Sequence, residues 1–279
     1  MVSISASRHS QNFLARLARQ PGVLVRVEAT RGSAPREAGV WMAVFGDAVI
    51  GTIGGGNLEF QAIAQARAML GSLPQQPAAS TRFALGPALG QCCGGVMQLR
   101  FEHVSGGDVP ALAERLRGGL TAVAVFGGGH VGHALVQVLA PLPFQVTWID
   151  SRDAVFPENV PAGVVCEHSV PPQAAVAGLA PGTRVLVMSF SHAEDLDVVA
   201  ACLERHRVRT DLPFVGLIGS KTKWATFRRR LEARGFSAAE LTHITCPIGI
   251  PGIPGKEPEV IAVAVAAQLL QTLGGAEGA

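Results

Sequence analysis

The stretch that decides the fold is Thr121-Ala-Val-Ala-Val-Phe126 followed by Gly127-Gly-Gly-His-Val-Gly132. Its first six residues form a continuously apolar segment, which is typical of a parallel strand buried on both faces. After the glycines, an apolar helix is predicted to run to about Leu139, and a second strand over 145–149 ends at Asp150. A strand, a glycine turn, a helix and a second strand ending in an acid match the dinucleotide-binding pattern. The sequence therefore predicts a Rossmann-type half.

Each residue of this nucleotide-type loop has a predicted role. Gly127 and Gly129 let the chain turn and let a pyrophosphate approach, and Gly132 lets the helix pack closely. Asp150 would accept hydrogen bonds from ribose hydroxyls. Such loops also serve other ligands, so the pattern leaves open whether a nucleotide is bound.

Downstream, strands are predicted over 183–190 and 214–218, and helices over 196–206, 224–234 and 258–273. Ser191, His192 and Ser220 fall at carboxyl ends of these strands, where open α/β sheets place ligands. His192 is either an acid/base or ligand contact, or a helix-capping and hydrogen-bonding residue. The basic residues Lys221, Lys223 and 228–230 are interpreted as a solvated helix face.

The first half of the chain predicts a small mixed α+β domain. Helices are expected over 7–19 and 58–70, and strands over 23–28, 40–45, 48–53, 81–85 and 96–101. We divide the chain into an N-terminal domain (1–105), a linker (106–119) containing a short helix, and a doubly wound, parallel-sheet domain (120–279). The last helix could pack back on the N-terminal domain or form a dimer interface.

Three glycine-rich loops of the first half, 32–39, 54–56 and 90–95, are expected to converge. Gly54, Gly55 and Gly56 lie between a strand and a helix start, where free amides and the helix dipole favour an anion. Arg36 either grips a phosphate through two hydrogen bonds or is an ordinary surface arginine.

The third loop contains Gln91-Cys92-Cys93-Gly94-Gly95. Adjacent cysteines rarely bond each other, because the ring strains the peptide link. Metal-binding pairs usually leave two residues between the ligands. The pattern favours a thiol on a glycine turn whose amides lower its pKa, although both cysteines could also be small buried hydrophobic residues.

The composition excludes several classes of protein. A net charge of +2 gives no reason to expect nucleic acid as a partner. Five cysteines without framework spacing favour a reducing compartment. The first residues contain no apolar core of signal-peptide length, and the longest apolar run, 260–267, is too short for a bilayer span. We therefore expect a cytoplasmic protein without membrane contact.

Taken together, the motifs resemble the XdhC/CoxI family over nearly the whole chain. The motifs that carry the resemblance are Gly32-Ser33-x-Pro35-Arg36-x-x-Gly39, Gly51-x-Ile53-Gly54-Gly55-Gly56-x-x-Glu59, Gln91-Cys92-Cys93-Gly94-Gly95, Phe126-Gly-Gly-Gly-His-Val-Gly132, Ser191-His192, Gly216-Leu-Ile-Gly-Ser220 and Cys246-Pro247-Ile248-Gly249. The loop that follows them departs from the family pattern, since it reads Pro251-Gly-Ile-Pro-Gly-Lys-Glu-Pro258.

The resemblance implies a chaperone of the molybdenum cofactor (Mo-molybdopterin), an accessory protein more than an enzyme. Such a protein binds and protects the cofactor, supports its sulfuration and inserts it into apo-xanthine dehydrogenase. The implied partners are the molybdenum-binding subunit of that enzyme, a cysteine desulfurase and an upstream cofactor donor; a homodimer is left open. The implied cofactor-binding residues are Gln91, Cys92, Cys93, Gly94, Arg36, Gly54, Gly55, Gly56, His192 and Ser220, with Cys93 favoured for a molybdenum contact.

Two other functions stay open. An NAD(P)- or FAD-dependent oxidoreductase would use the nucleotide-type loop, with His192 as acid/base. A sulfurtransferase would carry a persulfide on Cys93.

Overall fold

The computed structural model describes residues 8–72, 78–85, 94–117 and 120–273. The chain divides into two compact units at about residue 116, and each has its own sheet and its own core. We call residues 9–116 the N-terminal unit and residues from 117 onward the C-terminal unit.

The N-terminal unit is built on an antiparallel sheet of five strands in the order β3-β2-β1-β5-β4. A two-residue turn joins β2 to β3, where the Phe45 amide donates to the Ala48 carbonyl oxygen at 2.8 Å. The elements are α1 (Arg8–Leu17), β1 (Gly22–Arg31), β2 (Trp41–Val44), β3 (Val49–Gly51), α2 (Gly56–Leu70), β4 (Ala79–Ala84), β5 (Val96–Val104) and α3 (Val109–Arg117).

Helices cover both faces of this sheet, because successive side chains of each strand point to opposite faces and apolar residues lie on both. One set of alternating residues packs under α2; it includes Val25, Met42, Leu99 and Phe101, all buried. The opposite set meets α1, where the Phe13 ring lies 5.2 Å from the Trp41 ring, centroid to centroid. The segment predicted as a linker contains α3, whose Leu112 and Ala113 are buried.

The C-terminal unit is built on a parallel sheet of six strands in the order β11-β10-β9-β6-β7-β8. Read from β8, the strands follow the Rossmann order 3-2-1-4-5-6, so the winding reverses between β6 and β9. The elements are β6 (Thr121–Phe126), α4 (His130–Leu139), β7 (Phe144–Asp150), β8 (Val164–His168), β9 (Arg184–Val187), α5 (His192–Arg209), β10 (Phe214–Leu217), α6 (Lys221–Ala233), α7 (Ala238–Leu241), β11 (Ile244–Thr245) and α8 (Pro258–Gln271).

Helices pack on both faces of this sheet. On one face, α5 and α6 cover residues such as Phe126 and Val187. On the other face, α4 and α8 cover Val123 and Leu186. Helix α8 packs against α4 within this unit, and its Ala262, Val265 and Leu269 are buried there.

The predicted fold class is confirmed: a smaller antiparallel α+β unit precedes a Rossmann-type parallel sheet. The sequence analysis missed β8, α7, β11 and a 3-10 segment over Pro172–Gly178. It also started α5 and α6 three to four residues late. Both helices begin immediately after a serine, Ser191 and Ser220, whose Oγ accepts a hydrogen bond from a backbone amide three residues on.

Candidate functional site

Three glycine-rich loops come together in the N-terminal unit. A Cβ added to Gly95 would lie 2.3 Å from the Ser33 carbonyl oxygen, and one added to Gly32 would lie 3.3 Å from the Gly95 Cα. A Cβ added to Gly54 would lie 2.9 Å from the Pro35 Cβ. Since loop 32–39 touches both Gly54 and Gly95, the expected convergence is observed for the described parts of the three loops.

The residues Gln91, Cys92 and Cys93 lie outside the described residues. The connection that carries them leaves β4 after Leu85 and returns at Gly94. The Leu85 amide donates to the Gly95 carbonyl oxygen at 2.8 Å, so both ends of the connection are close together. Because Gly95 packs on Ser33, those ends lie beside loop 32–39.

The glycine turn before α2 already holds an anion of its own. The Oε2 atom of Glu59 accepts hydrogen bonds from the amides of Ile53 (2.9 Å) and Gly55 (3.1 Å) and from the Thr52 hydroxyl (2.5 Å). Burial raises the pKa of Glu59, but these hydrogen bonds outweigh it and the pKa is lowered. A phosphate at Gly54–Gly56 would have to displace this carboxylate.

Arg36 lies beside the same turn. Its Cγ is 3.3 Å from the position of a Cβ added to Gly54. The side chain is exposed and forms no hydrogen bond or ion pair with any residue in the described ranges. Arg36 is thus a cation available to a ligand next to the converging loops.

The nucleotide-type loop of the C-terminal unit uses its glycines for close backbone packing. A Cβ on Gly127 would lie 2.0 Å from the Met188 carbonyl oxygen, and a Cβ on Gly132 would lie 2.0 Å from the Gly127 carbonyl oxygen. A Cβ on Gly129, immediately before α4, would meet nothing within 4 Å. The space beside Gly129 is therefore open, whereas a Cβ on Gly128 would lie 2.8 Å from Val155 Cγ2.

Asp150 is buried at the end of β7 and fully engaged. Its Oδ2 accepts from the Gly128 amide (2.5 Å) and from Arg152 Nη2 (2.9 Å). Its Oδ1 accepts from the Arg152 amide and from Arg152 Nε, both at 2.9 Å. Burial raises the pKa of Asp150, but the hydrogen bonds from Arg152 and Gly128 lower it overall.

His192 and Ser220 lie at the carboxyl edge of the parallel sheet, as predicted. His192 is the exposed first residue of α5, and its ring is edge-on to Phe227 at 6.1 Å. Ser220 caps α6 by accepting from the Lys223 amide at 3.1 Å. The cap of α5 is Ser191 and not His192.

The interpretation of Lys223 as part of a solvated face was wrong. Its Nζ donates to Asp195 Oδ2 at 2.5 Å and to the Ile218 carbonyl oxygen at 2.8 Å, and the Asp195 side chain is only 3% exposed. Asp195 Oδ1 also accepts from the Ser189 amide at 2.7 Å. This buried pair joins the first turns of α5 and α6.

Sequence reasoning missed Asp195 and Arg152. Asp195 stands four residues after the Ser191 cap, in the first turn of a helix whose start was placed too late. Arg152 stands two residues after the acid of the nucleotide-type pattern, which was a signal that an acceptor there has a cationic partner.

The cysteines in the described ranges do not favour thiolates. Cys166, Cys202 and Cys246 are free. Burial raises the pKa of Cys246 to about 11 and also raises those of Cys166 and Cys202. Within the same ranges, no group of three or more His, Cys, Asp or Glu side chains could hold a metal ion.

None of the described helices combines the length and the apolar character that crossing a bilayer requires.

Two proteins illustrate what this chain is similar to. The uncharacterized protein YqeB of Escherichia coli K12 is 27% identical over 260 residues; the match covers 92% of this chain and 44% of YqeB, so the chain spans less than half of that relative. A Bacillus halodurans crystal structure described as a xanthine dehydrogenase has a TM-score of 0.77 at 19% identity, with 96% of each chain covered. At that identity the likeness shows the fold alone.

Family models match both units. The model of the XdhC Rossmann domain matches residues 123–269, which is more than half of the chain. The model of the XdhC and CoxI family matches residues 15–78, the part of the N-terminal unit that contains loops 32–39 and 54–56. The chain belongs to the XdhC and CoxI family.

Proposed function

We propose that this protein binds the molybdenum cofactor, protects it, supports its sulfuration and delivers it to apo-xanthine dehydrogenase. Family membership supports a role in the maturation of that enzyme. The observation that carries the finer proposal is the packing of Gly32, Ser33, Pro35, Gly54 and Gly95 into one cluster. Leu85 and Gly94, the described residues on either side of the segment that contains Cys93, lie beside that cluster.

The chemistry of the cargo suits the groups at this cluster. Molybdopterin carries a phosphate, a hydrogen-bonding pterin and a soft metal centre. Arg36, exposed and unpaired within the described residues, supplies a planar cation for the phosphate. In this arrangement Arg36 binds the phosphate, and the amides of Ile53 and Gly55 keep their hydrogen bonds to Glu59.

A thiolate is the protein ligand that best suits a soft metal. The three described cysteines have raised pKa values, which disfavours their thiolate forms. We assign the metal contact to the adjacent pair, and within it to Cys93, because Cys93 directly precedes the glycines.

Cofactor capture tests this proposal. The full chain is mixed anaerobically with molybdenum cofactor released from a hydroxylase, desalted, and assayed for pterin by fluorescence and for molybdenum by elemental analysis. We expect the wild type to retain both. Cys93→Ala should lose molybdenum, and Arg36→Ala should weaken pterin retention.

Cys166→Ala is the matched control, since it removes a half-buried, protonated thiol in the C-terminal unit. It should retain cofactor like the wild type. Absence of cofactor on the wild type would refute the proposal. Equal retention by the wild type and Cys93→Ala would keep the carrier function and move the metal contact elsewhere.

The same preparations test delivery and sulfur transfer. Loaded protein should activate apo-xanthine dehydrogenase in proportion to the cofactor supplied. Incubation with a cysteine desulfurase and cysteine, followed by mass spectrometry, would reveal a persulfide on Cys93 as one added sulfur atom. That mass increase would identify a sulfurtransferase in place of a simple carrier.

A further inference from the structure

The acid of the nucleotide-type loop, Asp150, is paired with Arg152, and the proposed binding of the molybdenum cofactor uses neither residue. Asp150, the expected acceptor of ribose hydroxyls, already accepts four hydrogen bonds, two at each oxygen. A carboxylate offers about four acceptor sites. Asp150 is therefore saturated by Arg152 and Gly128 and has no site left for a ribose diol.

Arg152 has donors to spare. It uses Nε and Nη2 on Asp150, while Nη1 forms no hydrogen bond with the described residues. The side chain is 34% exposed, and its guanidinium lies 4.6 Å from the centre of the Phe190 ring, which is 68% exposed. Asp150 and Phe190 together hold the guanidinium with one edge open to solvent.

The position of this arginine is that of a ligand-binding residue. Arg152 follows β7 and Phe190 follows β9, and these strands lie on the two sides of β6, where the winding of the sheet reverses. Ligands of such sheets bind in the crevice at this reversal. The glycine turn after β6 and the open space at Gly129 lie at the same edge.

Two negative charges near Arg152 oppose an anion: the Asp150 carboxylate, with which Arg152 is paired, and the Glu194 carboxylate. Glu194 accepts from the Ser151 hydroxyl at 2.6 Å and interacts electrostatically with Arg152. The Glu194 carboxylate would repel a phosphate bound to Arg152. Removing its charge therefore tests independently whether an anion binds at Arg152.

We propose that the C-terminal unit binds a nucleotide with a phosphate group on its ribose, and that Arg152 reads this phosphate. In this fold a free acid binds the ribose diol, whereas a nearby arginine accommodates a ribose 2′-phosphate. Here the acid is present, but Arg152 and Gly128 occupy its acceptor sites, and the arginine keeps a free edge. This site uses residues of the C-terminal unit alone, and the proposal does not depend on whether the molybdenum cofactor is the cargo.

The test compares NADP+ with NAD+ by titration calorimetry on the full chain. A charge-assisted hydrogen bond contributes enough to predict roughly tenfold to hundredfold tighter binding of NADP+. The pair 2′-AMP and 5′-AMP should show the same direction. Equal affinities, a preference for NAD+, or no binding of either dinucleotide would overturn the proposal.

Three variants locate the effect. Arg152→Ala should abolish the preference for NADP+, whereas Arg229→Ala, which removes an exposed arginine of α6, should leave it unchanged. Glu194→Gln should tighten NADP+ several-fold and leave NAD+ unaffected, because it removes the opposing charge while keeping an acceptor for Ser151. If Arg152→Ala fails to fold, the Glu194→Gln result alone decides, and an unchanged NADP+ affinity there counts against the proposal.

Discussion

Two side chains in this protein provide partners for polar groups of other residues: Glu59 for backbone amides and Lys223 for a buried carboxylate. The Glu59 carboxylate accepts hydrogen bonds from the amides of Ile53 and Gly55, and the Ile53 side chain is fully buried. Lys223 and Asp195 neutralise each other at the carboxyl edge of the parallel sheet.

Glu59→Ala should lower the free energy of unfolding by about 1–3 kcal/mol, because two amides lose their acceptor. Glu59→Gln should cost clearly less, since an amide oxygen can take the place of Oε2. Urea denaturation of the two variants measures the difference, and equal losses would show that the carboxylate charge, not the acceptor, is what matters.

Lys223→Met should destabilise the protein by about 3–5 kcal/mol, because it leaves the buried Asp195 charge without its cation. The double variant Lys223→Met/Asp195→Leu should recover much of that loss, since both charges are then gone. Denaturant unfolding of the wild type, of the single variants Lys223→Met and Asp195→Leu, and of the double variant gives the coupling energy. If the double variant is as unstable as the sum of the singles, the ion pair is not the cause.

A stacked histidine pair predicts a pH dependence. The rings of His206 and His243 lie 3.8 Å apart, and burial together with His206 lowers the pKa of His243. Since the unfolded pKa is about 6.5, this contribution is complete above that pH and is lost as the pH falls through the lower folded value. His243→Phe should therefore flatten the decline in unfolding free energy as the pH falls below about 6.5. An unchanged slope would exclude His243 as its source.

At the scale of elements, the glycine turn between β6 and α4 sets how closely the helix approaches the sheet. Gly132→Ala places a methyl group 2.0 Å from the Gly127 carbonyl oxygen, and backbone must move to admit it. We expect a loss of about 1–3 kcal/mol or more in thermal or urea unfolding.

Gly129→Ala is the matched control. Its Cβ meets nothing within 4 Å and its φ is −78°, which suits alanine. Stability should stay near that of the wild type. Comparable losses in both variants would mean that the turn is sensitive to any substitution and not to the contact at Gly132.

The elements with strong periodicity or strong turn chemistry were predictable from sequence. Strand β6 was predicted with its observed bounds, and α4 and β7 within about a residue, because an apolar run, a glycine turn and an acid mark their limits. The two-residue strand β11 and the exposed strand β8 were not, since short or half-exposed segments have no clear apolar pattern. Their assignment as strands depends on hydrogen-bonded pairing with β10 and β7, which the sequence pattern of the segments does not show.

The candidate site was predictable to the same degree. The convergence of loops 32–39, 54–56 and 90–95 followed from their glycines, which need close backbone approach. The side chains that form hydrogen bonds with the glycine-rich loops could not be predicted from the sequence. Pairing of Glu59 with Ile53, or of Arg152 with Asp150, depends on side-chain direction that residue type alone leaves undetermined.

On the scale of the whole molecule, the described core residues fall into separate clusters. One belongs to the N-terminal unit and two to the opposite faces of the C-terminal sheet. Each unit thus has a sheet and an apolar interior of its own, as independently folding domains do.

We expect residues 117–279 expressed alone to fold cooperatively. Their sheet includes all six described parallel strands, with helices on both faces. Circular dichroism during thermal unfolding, and dispersed amide signals in NMR spectra, would show this. A non-cooperative transition would mean that the C-terminal unit needs residues 9–116 to fold.

The carboxylate of Glu59 has a consequence for the carrier function proposed above, in which the cargo must also be released. A ligand that binds only the folded state adds its binding free energy to stability, and its departure subtracts the same amount. Here the turn before α2 is closed by a side chain of the protein itself. In the proposed carrier, the folding of this turn is therefore not linked to cargo, and hand-over to a client would not require the turn to refold.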